Sequence, residues 1–297
     1  MNTRATRTIA VFGATGLQGG AVADALLARG AEVRALVRSP ESERARALAA
    51  RGVELSPVQT GEADSLVAAL QGADAFYFMT PDSHGPEAIE AEIRLGTALV
   101  DAAVAAQVPQ VVFNSVSGAE RDSGVAHFES KRRVEEHLRR SGLRAAIIRP
   151  VAFMENFATL APRVENGELV LRMPLPDGVP LKLVAVRDIG GIAAAILLGT
   201  ADVPGGAVEV VGDELTGSQI AEAFGARAGF PARYEPLPLS VLGGDAEDES
   251  MFRYFAGAGA AYRSDLDAVK AIEPAVWNLT EWIRSTGWAL PADVVRL

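Results

Sequence analysis

Short apolar runs alternate with amphipathic stretches along the first half of the chain. Runs rich in β-branched and aromatic residues predict strands, whereas apolar residues that recur every three or four positions predict helices. The predicted strands are residues 8–12, 32–37, 53–58, 75–79, 110–114 and 145–149, and the predicted helices are residues 21–28, 40–50, 65–70, 86–107 and 130–140. Strands and helices that alternate at this spacing predict an α/β fold with a doubly wound parallel sheet.

The pattern becomes less regular after residue 150, where proline and glycine are frequent. Thr216 and Gln219 have capping-box spacing and predict a helix over residues 220–226, and residues 279–283 predict a closing helix. The acidic, glycine-bearing stretch 243–250 predicts a loop. We therefore expect a first domain over residues 1–150 and a smaller C-terminal α+β lobe over residues 151–297, with segments that can be exchanged between them.

Composition and charge exclude several classes of protein. The 297 residues include no cysteine, so the chain has no disulfide framework, cysteine-ligated metal or cysteine nucleophile, and the cytoplasm is the default compartment. The formal charge of −10 argues against direct binding of nucleic acid or of an anionic membrane surface. The apolar run at residues 9–12 is too short for a signal peptide, and the longest uncharged stretch, 102–119, is too polar to span a membrane.

A glycine-rich loop follows the first predicted strand and precedes the first predicted helix. Glycines spaced by three residues at this position favour a tight turn and a close approach of the backbone to a pyrophosphate, which then meets the N–H groups at the helix N-terminus. The alternative is an ordinary turn, but the strand and helix around the loop favour dinucleotide binding. We assign to cofactor binding Gly13, Thr15, Gly16, Leu17, Gln18 and Gly19.

The end of the second strand indicates which dinucleotide is preferred. An acidic residue about 20 positions past the fingerprint selects NAD through the ribose 2′-hydroxyl. This chain instead has Arg38, which lies 19 residues after Gly19, with Ser39 beside it. A guanidinium matches a 2′-phosphate, so we predict NADP(H) in preference to NAD(H). The alternative is a solvated arginine in an arginine-rich stretch.

Several segments together resemble the NmrA-like family of atypical short-chain dehydrogenases. They are Val-Phe-Gly-Ala-Thr-Gly-Leu-Gln-Gly at 11–19, Leu-Val-Arg at 36–38, His-Phe-Glu-Ser-Lys at 127–131, Arg-Pro-Val-Ala-Phe-Met-Glu-Asn-Phe at 149–157 and Val-Arg-Asp-Ile-Gly at 186–190. The resemblance extends from about residue 8 to about residue 200. It implies an NAD(P)-binding Rossmann domain with a small lobe over the cleft.

Short-chain dehydrogenases use Tyr-x-x-x-Lys, in which the tyrosine transfers a proton and the lysine holds the nicotinamide ribose. The resemblance places His127 at the tyrosine position and Lys131 at the lysine position. An imidazole can exchange a proton near neutral pH, so His127 is a candidate general acid. The alternatives are a histidine without a catalytic role and a lysine that is an ordinary charge on an exposed helix.

Other candidates lie where predicted strands end, which is where open parallel sheets bind ligands. Thr80 and Pro81 follow the fourth strand, and Ser115 follows the fifth, with Ser117 as another candidate for a catalytic serine. Phe153 could shield a nicotinamide or pack within a lid. His84 and His137 show no metal-ligand spacing in the sequence, and we predict no metal site.

Two functions fit these residues. The first is an NADP(H)-dependent oxidoreductase that reduces a quinone or a similar carbonyl as its small-molecule substrate. The second is a non-catalytic redox sensor, in which the bound dinucleotide alters binding to a regulatory protein partner. The histidine at position 127 favours the sensor, whereas Lys131 and the cleft favour the enzyme.

Overall fold

A seven-stranded parallel sheet forms the centre of the fold. The computed structural model describes residues 7–81 and 84–290. In spatial order the strands are β3, β2, β1, β4, β5, β6 and β11. Their bounds are β1 (Thr8–Phe12), β2 (Glu32–Val37), β3 (Glu54–Pro57), β4 (Ala75–Met79), β5 (Val111–Asn114), β6 (Ala145–Pro150) and β11 (Ala207–Val210). This order confirms the predicted doubly wound Rossmann architecture and places a topological switch between β1 and β4.

Alternation along the buried strands explains why helices cover both faces of the sheet. Ile9 and Val11 of β1 face one apolar core, whereas Ala10 and Phe12 face another. One core is covered by α1 (Leu17–Ala28), α2 (Glu43–Ala49) and α6 (Val186–Leu197). The other is covered by α3 (Ala63–Leu70), α4 (Pro86–Ala105) and α5 (Ala126–Arg140).

Glycine allows α1 and α6 to pack closely. A Cβ at Gly190 would lie 2.3 Å from the carbonyl oxygen of Ala21. The Asp-Ile-Gly segment therefore supports the packing of α6 behind the glycine-rich loop. At the start of α6, the Val186 N–H donates to the Glu155 carboxylate at 3.1 Å.

The second lobe contains two small sheets and its own apolar core. One sheet has the order β12, β10, β7, and the other has the order β13, β9, β8. The strands are β7 (Ala152–Phe153), β8 (Arg163–Glu165), β9 (Glu168–Met173), β10 (Leu181–Val184), β12 (Asp213–Leu215) and β13 (Ala232–Pro236), and the helices are α7 (Gly217–Ala228), α8 (Ala246–Ala256) and α10 (Leu279–Ser285). Helix α9 (Leu266–Ile272) packs instead on the core of the first sheet, beside α6 and β11. Between these segments the chain returns to the first sheet through α6 and β11.

Local signals account for the helices that were predicted and for one that was not. The capping box of Thr216 and Gln219 is present at the start of α7, and α10 confirms the closing helix. The prediction of a loop over 243–250 is wrong, because Asp245 caps α8 and its first turn is acidic, which suits a helix N-terminus. No helix in residues 7–81 and 84–290 combines the length and apolar character needed to cross a bilayer.

Candidate active site

The loop between β1 and α1 has the geometry of a pyrophosphate cradle. Gly13 has φ +87°, a left-handed conformation that favours glycine, and its carbonyl accepts from the Gly16 N–H at 2.9 Å. A Cβ at Gly19 would lie 2.3 Å from that carbonyl oxygen, and a Cβ at Gly16 would lie 3.3 Å from it. Gly13 therefore makes the turn, while Gly19 allows the helix to pack against it.

The N-terminus of α1 is suited to an anion. No described side chain caps it, and its first turn carries no acidic residue. Its terminal N–H groups and the positive end of the helix dipole are left for a ligand. Leu17 is 58% exposed over this turn, and Thr15 is half-buried beside it. Gln18 accepts from the Asn114 amide at 2.5 Å, which joins the loop to the end of β5.

Arg38 and Ser39 lie next to this loop at the carboxyl end of β2. Phe12, the last residue of β1 before the loop, pairs with Leu36 of β2 in the sheet. Arg38 follows Leu36 by two residues, so it lies near the start of the loop. Arg38 and Ser39 are both exposed, and Arg38 forms no ion pair with any residue that the structure describes. The guanidinium is therefore available to a ligand phosphate.

The ends of β4 and β5 supply buried polar groups that suit the rest of a dinucleotide. Thr80 is buried, and Pro81 is exposed beside it. Ser115 is 4% exposed, and its hydroxyl has no hydrogen-bond partner among the described residues. A buried hydroxyl without a partner is costly, and a ligand atom could satisfy it. The glycine cradle and this unpartnered hydroxyl together fit a dinucleotide.

Lys131 is held in a buried polar cluster. Its Nζ donates to Glu92 Oε1 at 2.5 Å, to Thr80 Oγ1 at 3.2 Å and to the Pro81 carbonyl at 3.4 Å. The Ser130 hydroxyl donates to the other oxygen of Glu92 at 2.8 Å. A buried ion pair of this kind needs such hydrogen bonds to offset the loss of hydration. The role of Lys131 in ribose binding therefore stays a prediction, with Glu92 as a competing acceptor.

Sequence reasoning missed Glu92, although the chain carries a signal for it. Glu92 shares the buried face of α4 with Gly96, Leu99 and Ala103, at helical spacing. A carboxylate on an apolar face needs a buried cation, because an unpaired charge there is strongly unfavourable. The nearby Lys131 provides that cation.

His127 lies on the same helix as Lys131 because α5 begins at Ala126, four residues before the predicted start. The imidazole is buried, its Nδ1 lies 2.5 Å from Glu247 Oε1, and its backbone N–H donates to the same oxygen at 2.8 Å. The His84 ring stacks against it with centroids 6.0 Å apart. Nε2 of His127 makes no hydrogen bond to any described residue. Glu247 belongs to the stretch predicted as a loop, and no pattern in the sequence links it to His127.

Two adjoining cavities lie between the Rossmann sheet and the second lobe. The smaller cavity, about 160 Å³, is lined by polar side chains that include Gln18, Thr80, Ser115 and Lys131 and by apolar residues such as Met79 and Val151. The larger cavity, about 430 Å³, is lined mostly by apolar side chains such as Leu181, Leu183 and Phe252. His127, Phe153 and Asn156 line both cavities. The site therefore has a polar end at the glycine-rich loop and an apolar end under the second lobe.

The remaining candidates have smaller parts in the site. Ser117 donates to Glu209 at 2.5 Å and lines the larger cavity. Phe157 lines the same cavity from the core of the second lobe. His137 contacts Asp101 at 2.7 Å on the surface.

A possible metal-ligand group is formed by residues that are distant in sequence. The ligand atoms of His84, Asp245 and Asp248 lie within 4.8 Å of one another, at or near the surface. Asp245 also caps α8, which explains its position without an ion. The absence of a metal site stays a prediction.

Comparisons with known proteins agree with this architecture. The NmrA-like family model matches residues 5–283. The chain is 32% identical to an NAD(P)H azoreductase of Xenophilus azovorans over 236 residues, which cover 78% of this chain and 77% of the relative. It shares its fold with an NADPH-dependent quinone oxidoreductase of Escherichia coli complexed with NADPH (TM-score 0.78, 23% identity, 94% of this chain and 100% of the other). It also resembles NmrA, a negative transcriptional regulator in complex with NAD (TM-score 0.77, 20% identity, 94% of each chain). With a family model that matches nearly its whole length, this chain belongs to the NmrA-like family.

Proposed function

We propose that this protein is an NADPH-dependent oxidoreductase that passes hydride to a quinone or a similar carbonyl compound. The observation that carries the proposal is the pair of adjoining cavities, of which one lies at the dinucleotide cradle and the other is large and mostly apolar. A redox sensor needs the first cavity, whereas an enzyme needs both. Two relatives that are 32% and 30% identical to this chain are named as reductases, which supports the same function.

The residues of the polar end can each take a part of the cofactor. The N–H groups of the glycine-rich loop and of α1 suit the pyrophosphate, and Ser115 and Lys131 suit the nicotinamide end. Arg38 suits a 2′-phosphate, because its exposed guanidinium is available and because this position carries no carboxylate that would repel the phosphate. We therefore propose a preference for NADPH over NADH.

The chain itself must position the acceptor and supply a proton. When bound, the dinucleotide supplies hydride, and reduction of a quinone to a hydroquinone requires one further proton. Phe153 lies where the two cavities meet and so contacts both reactants. The Glu247 carboxylate accepts the Nδ1 proton of His127, so in the imidazolium form the Nε2 proton is the one that passes to the acceptor oxygen, and Nε2 then regains a proton from solvent.

The decisive experiment is anaerobic oxidation of NADPH with a panel of quinones and aldehydes, with cofactor affinity measured in parallel. We expect turnover with at least one quinone, and we expect His127→Phe to slow carbonyl reduction without loss of NADPH binding. An unchanged rate with quinones in that variant would mean that solvent supplies the proton. Tight binding of NADPH without turnover of any acceptor would contradict the oxidoreductase proposal.

One observation favours a regulator as the second candidate. The Lys131 ammonium has three N–H groups, and Glu92, Thr80 and Pro81 accept from all of them within the chain. A dinucleotide sensor has no need of a lysine that orients nicotinamide for transfer. In that case NADPH would change the affinity for a protein partner, and Lys131→Ala would leave cofactor affinity unchanged.

A further inference from the structure

A lysine is buried in the wall of the larger cavity, apart from the residues assigned to the cofactor. Lys182 lies on β10 and is 9% exposed. Its Nζ is buried and has no hydrogen-bond partner among the described residues. Lys182, Ser117 and Tyr262 all line this cavity.

The groups around Lys182 do not satisfy its ammonium. Nζ lies 2.9 Å from the centroid of the Tyr262 ring, so the ring face occupies one direction. Glu209 is the carboxylate with the largest favourable effect on Lys182, but it accepts from Tyr262 at 2.7 Å and from Ser117 at 2.5 Å. Burial lowers the pKa of Lys182, which agrees with an ammonium that has lost water without gaining an acceptor.

An ammonium has three donors, and a buried donor without an acceptor is unfavourable. The cavity is the place from which an acceptor can come. Because the lysine side chain is flexible, its end can turn from the Tyr262 ring towards a molecule in the cavity. Lys182 is therefore placed to donate to a ligand in the apolar cavity.

The charges nearby select the type of acceptor. Besides Lys182 the charged groups that act here are Arg121, Glu120, Glu209 and Glu214. Carboxylates are already close, because Glu209 and Glu214 act on Lys182 and Asp248 lines the same cavity, so a ligand that brings a further negative charge is disfavoured. An uncharged carbonyl oxygen satisfies the donor without adding charge.

We propose that Lys182 donates a hydrogen bond to an uncharged carbonyl oxygen of a flat, largely apolar molecule bound in the larger cavity. This rests on the proposed function, since the larger cavity is taken as the acceptor site. Lys182 then selects acceptors in which a carbonyl lies at one end of an apolar ring system.

Three redox-inert probes test the proposal. Their direct binding to the NADPH-loaded protein is measured by calorimetry or by fluorescence. They are 2-naphthamide, which has an uncharged carbonyl, naphthalene, which has no acceptor oxygen, and 2-naphthoate, which is anionic. The wild-type protein should bind naphthamide most tightly. Lys182→Met should weaken the binding of naphthamide by about 10- to 100-fold, the effect expected for loss of a hydrogen bond to a charged donor. It should leave the affinity for naphthalene unchanged.

Lys270→Met is the matched control, because Lys270 is an exposed lysine on α9, away from the cavity lining. It should leave the affinity for all three probes unchanged, and NADPH affinity reports whether each variant is folded. An equal loss of naphthamide and naphthalene in Lys182→Met, or no loss of either, would overturn the proposal. So would tighter binding of naphthoate than of naphthamide by the wild type, a comparison that stands even if the variant fails to fold. Failure of NADPH oxidation with every acceptor, with this binding pattern intact, would overturn the proposed function alone.

Discussion

His127, which lines both cavities, connects the two lobes through Glu247. Nδ1 of the imidazole and the backbone N–H of the same residue both contact Glu247 Oε1, at 2.5 and 2.8 Å. One carboxylate thus fixes the ring and the first turn of α5 together. This contact orients Nε2 and ties α8 to the Rossmann sheet, so the second lobe helps to build the site that it covers.

The first prediction concerns this pair. Glu247→Gln keeps an oxygen that can accept from Nδ1 but replaces a charge-assisted hydrogen bond with a weaker neutral one, so the imidazole is held less firmly. We expect kcat for carbonyl reduction to fall by about 10-fold, a part of the 100-fold or more that a general acid can contribute. NADPH affinity should not change. Glu249→Gln, on the same helix and paired with Arg253, is the control.

A kcat that is unchanged in Glu247→Gln would contradict the assignment of a positioning role. It would mean that Glu247 only holds the lobes together, a role that thermal unfolding would report instead.

The second prediction concerns cofactor choice. Arg38→Ala should weaken the binding of NADPH by about 10- to 150-fold, the effect expected for loss of a charge-assisted contact, and should leave the affinity for NADH unchanged. Arg144→Ala is a matched control, because Arg144 is an exposed arginine just before β6, in the opposite half of the sheet from β2. Calorimetry that shows equal affinities for both cofactors in the wild type would exclude a 2′-phosphate site at Arg38.

The third prediction concerns the glycine-rich loop. Gly19→Ala places a Cβ 2.3 Å from the Gly13 carbonyl oxygen, so either α1 or the turn must move. We expect a loss of about 1–3 kcal/mol of folding stability and a severe loss of NADPH binding. Gly61→Ala is the control, since its Cβ would meet nothing within 4 Å. A folded Gly19→Ala protein with normal affinity would place the pyrophosphate elsewhere.

The fourth prediction separates structure from chemistry at Lys131. Lys131→Met leaves Glu92 buried without its cation and should cost about 3–5 kcal/mol in unfolding free energy. The double variant Lys131→Met with Glu92→Gln removes both charges and should recover most of that stability. If Lys131 orients the nicotinamide ribose, the double variant should remain about 100-fold slower than wild type in single-turnover hydride transfer. Recovery of the full rate would show that the lysine acts only by pairing with Glu92.

The fifth prediction follows from Asp188 on α6. Burial raises the pKa of this carboxyl to about 6, against the N–H of Trp277 and the charge of Arg187, which lower it. The folded protein therefore retains a proton that the unfolded chain releases near pH 4, and stability falls as the pH rises from about 4 to about 6. We expect Asp188→Asn to remove up to about 3 kcal/mol of that decline in the free energy of unfolding, measured by denaturant titration at several pH values. Asp202→Asn, at an exposed aspartate, should leave the decline intact.

Local sequence determined the Rossmann half of this protein and its cofactor loop. Strand and helix periods, the glycine spacing and the capping box each depend on residues within one or two turns of each other, so they can be recognised in the chain. The start of α5 could not be recognised in the sequence, because its N-cap position is Val125, which provides no side-chain cap. The α8 helix did carry a signal in Asp245 and the acidic turn after it, but adjacent glycines favoured a loop.

Only the tertiary structure decided which groups meet across the site. Glu247 lies 120 residues from His127, and Glu92 lies 39 residues from Lys131. Lys182 and Tyr262 lie 80 residues apart in the sequence. No local pattern encodes such pairs, because each forms when whole helices and sheets pack by their apolar faces and carry the polar side chains with them. Side chains that are ordinary charges in the sequence become site residues when that packing removes their water and leaves them a single partner, or none.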